Sequence, residues 1–268
     1  MKVEGKQHKP ERHPLMNIMV FDTETTGLNK PFCYDIGYAI VNTDDFSIVE
    51  AKHFIIEQIW HNLPLFESAY YKDKRPEYIK LMRQRKTVMN KYGYVMREMA
   101  RDIKNYGVTD AYAYNSDFDE NVFTFNCDWF KCNNPFETVA IHDIWGYASE
   151  FITNTPEYQA FCEIHNLFTE NNNCKTSAEA VLQYLRMDET IRERHMGLDD
   201  VIWETEILKY CVLKRKAILN TDYKVKKIIP RITGKPFEVK VNGVTIASGK
   251  YVKKYVRNDE YNFTTVGK

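Results

Sequence analysis

Asn17-Ile18-Met19-Val20-Phe21-Asp22-Thr23-Glu24-Thr25-Thr26-Gly27 is the stretch that decides how this chain is read. Residues 18–21 are a short apolar run of the kind that forms a buried strand, and the polar residues that follow end in a turn at Gly27. Side chains two apart on a strand share a face, so Asp22 and Glu24 project together at the strand's carboxyl end. That end is where α/β sheets usually carry their function. Two carboxylates held this close repel each other unless a cation lies between them.

Two further segments offer matching chemistry. VTDAYAY reads as a strand, and Asn115-Ser116-Asp117-Phe118-Asp119 follows it, with Ser116 as the expected helix N-cap and Asp119 in the first turn. His195-Met196-Gly197-Leu198-Asp199-Asp200 precedes the last long helix, expected to start near Leu198. On one continuous helix His195 and Asp200 would lie about 140° apart. Gly197 permits the alternative, with His195 on the incoming loop and Asp200 in the first helical turn. Read alone, Asp119 and Asp200 are ordinary first-turn acids favoured by the helix dipole, and His195 is an ordinary polar histidine. The argument rests on the three segments together.

Together they resemble the DEDDh exonucleases, the DnaQ-like 3′–5′ exonuclease family of the ribonuclease H-like superfamily, with a side resemblance to phage-type members through Ser177-Ala178-Glu179-Ala180 and Tyr184-Leu185. Phe21-Asp22-Thr23-Glu24-Thr25-Thr26-Gly27 is similar to the family's first motif. Asn115-x-x-Phe118-Asp119 is similar to the second and selects Asp119 over Asp117, and His195 with Asp200 five residues later is similar to the third. The resemblance covers about residues 16–215. Two positions depart from it: Tyr114 stands where a histidine often precedes the Asn, and Asp35 where Glu usually precedes Ile-Gly.

The resemblance implies an α/β, ribonuclease H-like exonuclease fold, a mixed central sheet flanked by helices. It implies Asp22, Glu24, Asp119 and Asp200 as ligands of two Mg2+ ions, with Mn2+ able to substitute. Oxygen donors suit hard cations, and four carboxylates match the charge of two such ions. His195 is then the base that takes a proton from water, and an imidazole near its ordinary pKa would lose that role as acid protonates it. Thr25, Thr26, Leu28, Asn115 and Phe118 are the candidate substrate contacts, with Leu28 either a wedge between the last bases or a plain packed leucine. The implied reaction is hydrolysis of terminal phosphodiester bonds of single-stranded DNA with a free 3′ end, giving nucleoside 5′-monophosphates. An exoribonuclease or oligonucleotide phosphodiesterase would use the same residues, and a nucleic-acid- or polymerase-binding module is the reading from another class.

The rest of the chain frames this site. CYDIGYAIVN and SIVEAKHFIIE alternate as a hairpin joined by TDDF, and residues 76–106 are helical in composition, with Gly93 as a candidate divider. ETVAIHDIWGYASEF is a strand running into a helix, and residues 157–168 and 176–187 read as helices around the polar loop TENNNCK. Leu198, Val201, Ile202, Leu208 and Cys211 form the expected apolar stripe of the last helix, with Thr205 filling its one gap.

The chain has 268 residues with zero formal net charge, yet residues 223–257 hold ten Lys or Arg against one acid, Glu238. That asymmetry points to a polyanion. The domains expected are a flexible leader over 1–15, the exonuclease domain over 16–219 and a basic β-rich extension over 220–268, where FEVKV-Asn242-Gly243-VTIAS is a hairpin signal. Replication proteins such as a DNA polymerase are the expected partners. No apolar run suits a membrane span or a secretory signal, and six scattered cysteines read as reduced thiols. Cys127 and Cys132 with His142 are too poorly spaced, and lack the fourth ligand, for zinc. A cytoplasmic setting, bacterial or phage-infected, is expected.

Overall fold

A computed structural model describes residues 16–231 and the backbone of strands at 237–241, 244–249 and 263–264. The expected leader, most of the basic extension and the Asn242-Gly243 turn lie outside the described residues.

The first strand, β1 (Asn17–Thr25), lies inside a six-stranded mixed sheet. Antiparallel to it runs β2 (Cys33–Asn42), which pairs in turn with antiparallel β3 (Ile48–Ile56), as the alternating pattern predicts. On the other side of β1 come β5 (Asp110–Ala113) and β6 (Ala140–Asp143), both parallel to it. The outer strand beyond β3 is β4 (Val88–Asn90).

Between β3 and β4 lie the short helices α1 (Glu57–Trp60) and α2 (Leu63–Phe66), then α3 (Arg75–Arg83). Next come α4 (Tyr92–Tyr106), α5 (Ser116–Phe130), α6 (Ile144–Ala148), α7 (Pro156–His165), α8 (Ala178–Arg186) and α9 (Gly197–Lys209). A separate three-stranded sheet has the order β8-β7-β9, with β7 (Phe237–Val241), β8 (Val244–Gly249) and β9 (Phe263–Thr264). In it Val241 faces Val244 across an antiparallel pair. No helix among the described residues is long and apolar enough to cross a membrane.

Three expectations are corrected. Residues 76–106 are not one helix divided at Gly93. The break falls between Arg83 and Tyr92 and contains β4, whose Val88, Met89 and Asn90 pair with Phe54, Ile55 and Ile56. Pairing with a distant strand, which local composition does not register, outweighs helical propensity there.

The N-cap of α5 is Asn115 rather than Ser116. Asn115 sits at φ 65°, and its N–H donates to Asp143 Oδ1 at 2.9 Å. Asn tolerates this left-handed conformation better than most residues do.

Finally, Ile202 is 41% exposed and leaves the apolar stripe of α9 and Glu204 turns inward, while Thr205 is buried in the stripe as expected. The first half of α9 therefore carries Asp200 and Glu204 on a buried face beside Val201, which keeps its place in the hydrophobic layer.

The sheet separates two apolar clusters, and β1 feeds both by alternation. Met19 and Phe21 join Val122 and Phe123 of α5 on one side. Ile18 and Val20 join Val201 and Leu208 of α9 on the other. The start of α9 is seated against β2 at Gly37. A Cβ there would lie 2.1 Å from the Gly197 carbonyl carbon, so only glycine permits the approach. Asp35, fully buried, locks the same joint: its Oδ2 accepts from the Gly197 N–H at 3.0 Å and the Tyr78 hydroxyl at 2.7 Å, and Oδ1 pairs with His53 Nε2 at 2.7 Å.

Candidate active site

Asp22 and Glu24 leave β1 on the α9 side of the sheet. Their backbone partners on β2 are Gly37 and Asp35. Thr23, between them, points to the α5 side, where its hydroxyl donates to Asp119 Oδ1 at 2.6 Å. Asp119 therefore approaches the strand end from the opposite layer and is only 2% exposed, whereas Asp117 is exposed. Asp200 is 3% exposed in the first turns of α9, and its Oδ2 accepts the Met196 N–H at 2.8 Å. His195 lies on the incoming loop at φ 47°, as the Gly197 argument requires. Glu24, His195 and Asp200 each present a ligand atom, all within 4.8 Å of one another.

The cluster is electrostatically frustrated. Burial, followed by repulsion from Glu204, Asp119 and Asp200, pushes the Asp22 carboxyl well above the usual range. Burial and then Asp35 and Asp200 do the same to Glu24. Burial raises Asp119 to about 7. It also raises Asp200 to about 8, with help from Glu193. Among the described residues, Asp22 Oδ2 and Asp200 Oδ1 are enclosed without a hydrogen-bond partner. Buried carboxylate oxygens without partners are costly in a folded protein, and a divalent cation relieves both the missing contact and the repulsion. The donor set is carboxylate oxygen with one imidazole, which suits Mg2+ or Mn2+.

His195 departs from an ordinary imidazole. Burial, and then Lys74, lowers it to about 4, against a smaller opposing pull from Glu179. Its ring stacks on Tyr71 at 4.1 Å and 13°, and Nδ1 lies 3.8 Å from Glu193 Oε2. The Lys74 ammonium reaches the Arg194 carbonyl and lies over the Tyr71 ring, so the segment before α3 braces the histidine loop.

Of the expected substrate contacts, Thr26 is buried and its N–H donates to the Phe32 carbonyl at 2.9 Å, while Thr25 is half-buried. Leu28 is 82% exposed, which removes the packed-leucine reading. Phe118 is half-buried against the α5-side cluster. Asn115 lines a cleft of about 550 Å³ together with Asp22, Tyr114, Trp145, Glu193 and Glu204. His142 lies between Asp110 and Asp222, at 3.0 Å from each.

Two acids of this site escaped the sequence reading. Glu204 is 3% exposed and its Oε2 accepts the Tyr114 N–H at 3.3 Å. Burial, then Asp119 and Asp200, holds its carboxyl far above the usual range. Glu193, raised to about 7 by burial and then by Glu179, flanks the histidine. Glu204 was findable, since it follows Asp200 by four and so shares its helix face.

No protein-family model matches the chain, and no curated protein sequence matches it. Solved structures do. A product-bound exonuclease I aligns at a TM-score of 0.50 and 15% identity, over 76% of this chain and 44% of that one. SSB/exonuclease I in complex with the inhibitor CFAM aligns at 0.50 and 14%, over 75% and 43%. The nuclease domain of 3'hExo, described as a DEDDh family member bound to rAMP, aligns at 0.49 and 14%, over 80% and 98%. The chain thus spans less than half the length of the exonuclease I chains. With the mixed six-stranded sheet, these alignments give the chain the ribonuclease H-like exonuclease fold.

Proposed function

We propose that this chain is a two-metal 3′–5′ exonuclease that removes nucleoside 5′-monophosphates from single-stranded DNA. The observation that carries the reading is the convergence of Asp22, Glu24, Asp119 and Asp200, from three separate segments, on one strand end beside His195, with buried carboxylate oxygens that no group among the described residues satisfies. A binding module has no need of such a costly arrangement.

In this reading Asp22, Glu24, Asp119 and Asp200 hold two divalent ions, Mg2+ by preference, which when bound supply positive charge against the phosphoryl oxygens and acidify water. His195 takes the proton from the water that attacks phosphorus as the bond to the departing O3′ breaks. Its burial and Lys74 keep the imidazole neutral and able to accept that proton across the neutral pH range. Stacking on Tyr71 fixes the plane of the ring, so little reorientation remains to be done at the moment of reaction. The backbone at Thr25 and Thr26 receives the terminal sugar, and exposed Leu28 wedges against the last base. Asn115 and Phe118 contact the strand beside Asp119. The basic extension over 220–268 contacts the phosphate backbone or a replication protein such as a polymerase, in a cytoplasmic setting.

The test uses 5′-labelled single-stranded DNA and matched RNA, with Mg2+, with Mn2+ and with EDTA. The expected result is metal-dependent shortening from the 3′ end, faster on DNA, with mononucleotides released. Faster shortening of RNA would convert the reading to an exoribonuclease, and no shortening of either would end it.

A further inference from the structure

Beyond Phe118, a candidate substrate contact, α5 continues into an aromatic surface that the catalytic reading does not use. Phe118, Phe125 and Trp129 are spaced by seven and four residues, so they fall within about 40° of arc on one side of the helix. Phe118 is half-buried next to Asp119, and Phe125 is half-buried one stage further along. Trp129 is 60% exposed.

An isolated exposed tryptophan would need no explanation, but this one is held in place. Its ring stacks on Phe125 at 6.2 Å and 24°, and the edge of Phe32 meets it at 5.0 Å and 84°. Phe32 also meets Phe125 edge-on at 5.1 Å and is itself only 8% exposed. Asn126 ties the same loop to the helix through the Pro31 carbonyl at 2.7 Å and the Cys33 N–H at 3.2 Å. That loop also carries Thr25, Thr26 and Leu28, so the surface is continuous with the candidate substrate contacts.

Phe125, Asp128, Trp129 and Lys131 line an open hollow of about 490 Å³. Exposed Lys30 lies two residues from Phe32, and Arg97 of α4 approaches Cys132, next to exposed Lys131. Lys131 lines the hollow itself beside Trp129. The exposed acids Asp117 and Glu120 occupy the adjoining arc of α5 and disfavour phosphates there, and Asp128 at the hollow's edge leaves Lys131 as the side on which a phosphate would lie. A preorganised ring with a cation to one side is the arrangement that stacks bases without reading their sequence.

We propose that the Phe125–Trp129–Lys131 surface is a second binding site for single-stranded nucleic acid, stacking bases of the strand that leads into the active site. The placement upstream of the cut bond rests on the exonuclease reading. Trp129 lies ten residues from Asp119, about 15 Å along the helix. A stacked strand covers that span in about four or five nucleotides, at roughly 3.4 Å each. The surface therefore acts on oligomers of that length or more and is out of reach of shorter ones.

The experiment compares wild type, Trp129→Ala and Trp129→Phe. Binding of 5′-labelled (dT)12 and (dT)3 is measured by fluorescence anisotropy with Ca2+ in place of Mg2+, alongside thermal melts of each variant. Trp129→Ala should bind (dT)12 about tenfold more weakly, within the range for loss of one base–aromatic stack. It should bind (dT)3 as wild type does, and Trp129→Phe should restore most of the (dT)12 affinity. Equal affinities of wild type and Trp129→Ala for (dT)12 overturn the proposal. So does an equal loss on both lengths, or no wild-type binding to (dT)12. Hydrolysis of both oligomers in Mg2+ is read separately. If wild type cuts neither while the length-dependent difference in binding persists, the exonuclease reading fails and the stacking site stands.

Discussion

The buried acids make a quantitative prediction about stability in the absence of metal. Asp119 and Asp200 are raised from 3.8 to about 7 and about 8, first by burial. A raised carboxyl pKa means that the folded state binds the proton more tightly than the unfolded chain does. The stability it contributes is fully present below the unfolded value and is lost as pH rises through the folded value. Here that window runs from about pH 4 to about pH 8. Within it, each retained proton costs about 1.4 kcal/mol of stability per pH unit.

Two such protons between pH 5 and pH 7 would give at most about 5 kcal/mol. The acids share one another's repulsion, so about 3–5 kcal/mol is the expected loss. For a domain of this size that is on the order of 10 °C in Tm. A divalent cation removes the penalty by replacing the protons, so Mg2+ should stabilise the protein progressively more from pH 5 to pH 8.

The assay is thermal unfolding across that range in EDTA and in Mg2+. Calorimetric titration with Mg2+ at pH 6.5, in buffers of different ionisation enthalpy, should show release of about one to two protons. Asp200→Asn should melt higher than wild type in EDTA at pH 8 and gain little from Mg2+. A Mg2+-induced Tm shift that is the same at pH 5 and pH 8, with no proton release, would refute the reasoning.

In the exonuclease reading the same electrostatics shape the pH profile of turnover. Because burial and Lys74 lower His195 to about 4 while Asp119 and Asp200 titrate near 7 and 8, the acid-side decline of kcat/KM should track protons competing with metal for the carboxylates. Tenfold more Mg2+ should move that decline to lower pH, and a decline fixed near pH 6.5 at every Mg2+ concentration would argue against it. His195→Ala should lower kcat by about 10²–10⁴ with Mg2+ binding kept, and Asp22→Ala should lose both; turnover near wild type in either variant would remove its assigned role. Tyr71→Ala should lower kcat by about tenfold with little change in KM, with Tyr71→Phe close to wild type. A rise in KM alone would make Tyr71 a substrate contact instead of a support for His195. Gly37→Ala would push a methyl into Gly197, so a loss of about 3 kcal/mol is expected, and a Tm within about 2 °C of wild type would contradict the seating of α9 on β2.

How much of this was legible depended on whether the deciding interaction was local. The strand carrying Asp22 and Glu24, the β2–β3 hairpin and the placement of His195 on the loop before α9 all followed from periodicity, turn residues and Gly197. The strand β4 was invisible because three residues in a helix-rich region become a strand only by pairing with β3. Asn115 displaced Ser116 as the cap because the N–H of Asn115 bonds to Asp143, 28 residues away. The apolar stripe on α9 failed at Ile202 because the helix turns Glu204 inward instead, beside Thr205 in the stripe. Asp35 illustrates the same limit. It stands where the resemblance has Glu, and its shorter side chain is met by His53, Tyr78 and the Gly197 N–H, none of them near it in sequence.

The arrangement of the acids across the sheet gives metal binding a structural consequence. Asp22 and Glu24 share the α9 side of β1 with Asp200, whereas Asp119 comes from the α5 side and is tethered through Thr23. The two layers have separate apolar clusters and meet at this strand end through groups that repel one another when ionised. Cations held there would join the layers as well as activate water, because each layer supplies ligands the other lacks. Glu204 then has a definite place in the charge balance. In the two-metal reading, two dications would offset four carboxylates and leave a fifth uncompensated, and burial with repulsion from Asp119 and Asp200 pushes the Glu204 carboxyl well above the usual range, favouring its protonated form. In that form its remaining oxygen still accepts the Tyr114 N–H and holds the end of β5 against α9. The site's acidity is thus divided between groups that yield their protons to metal and one that keeps its proton to hold the layers in register.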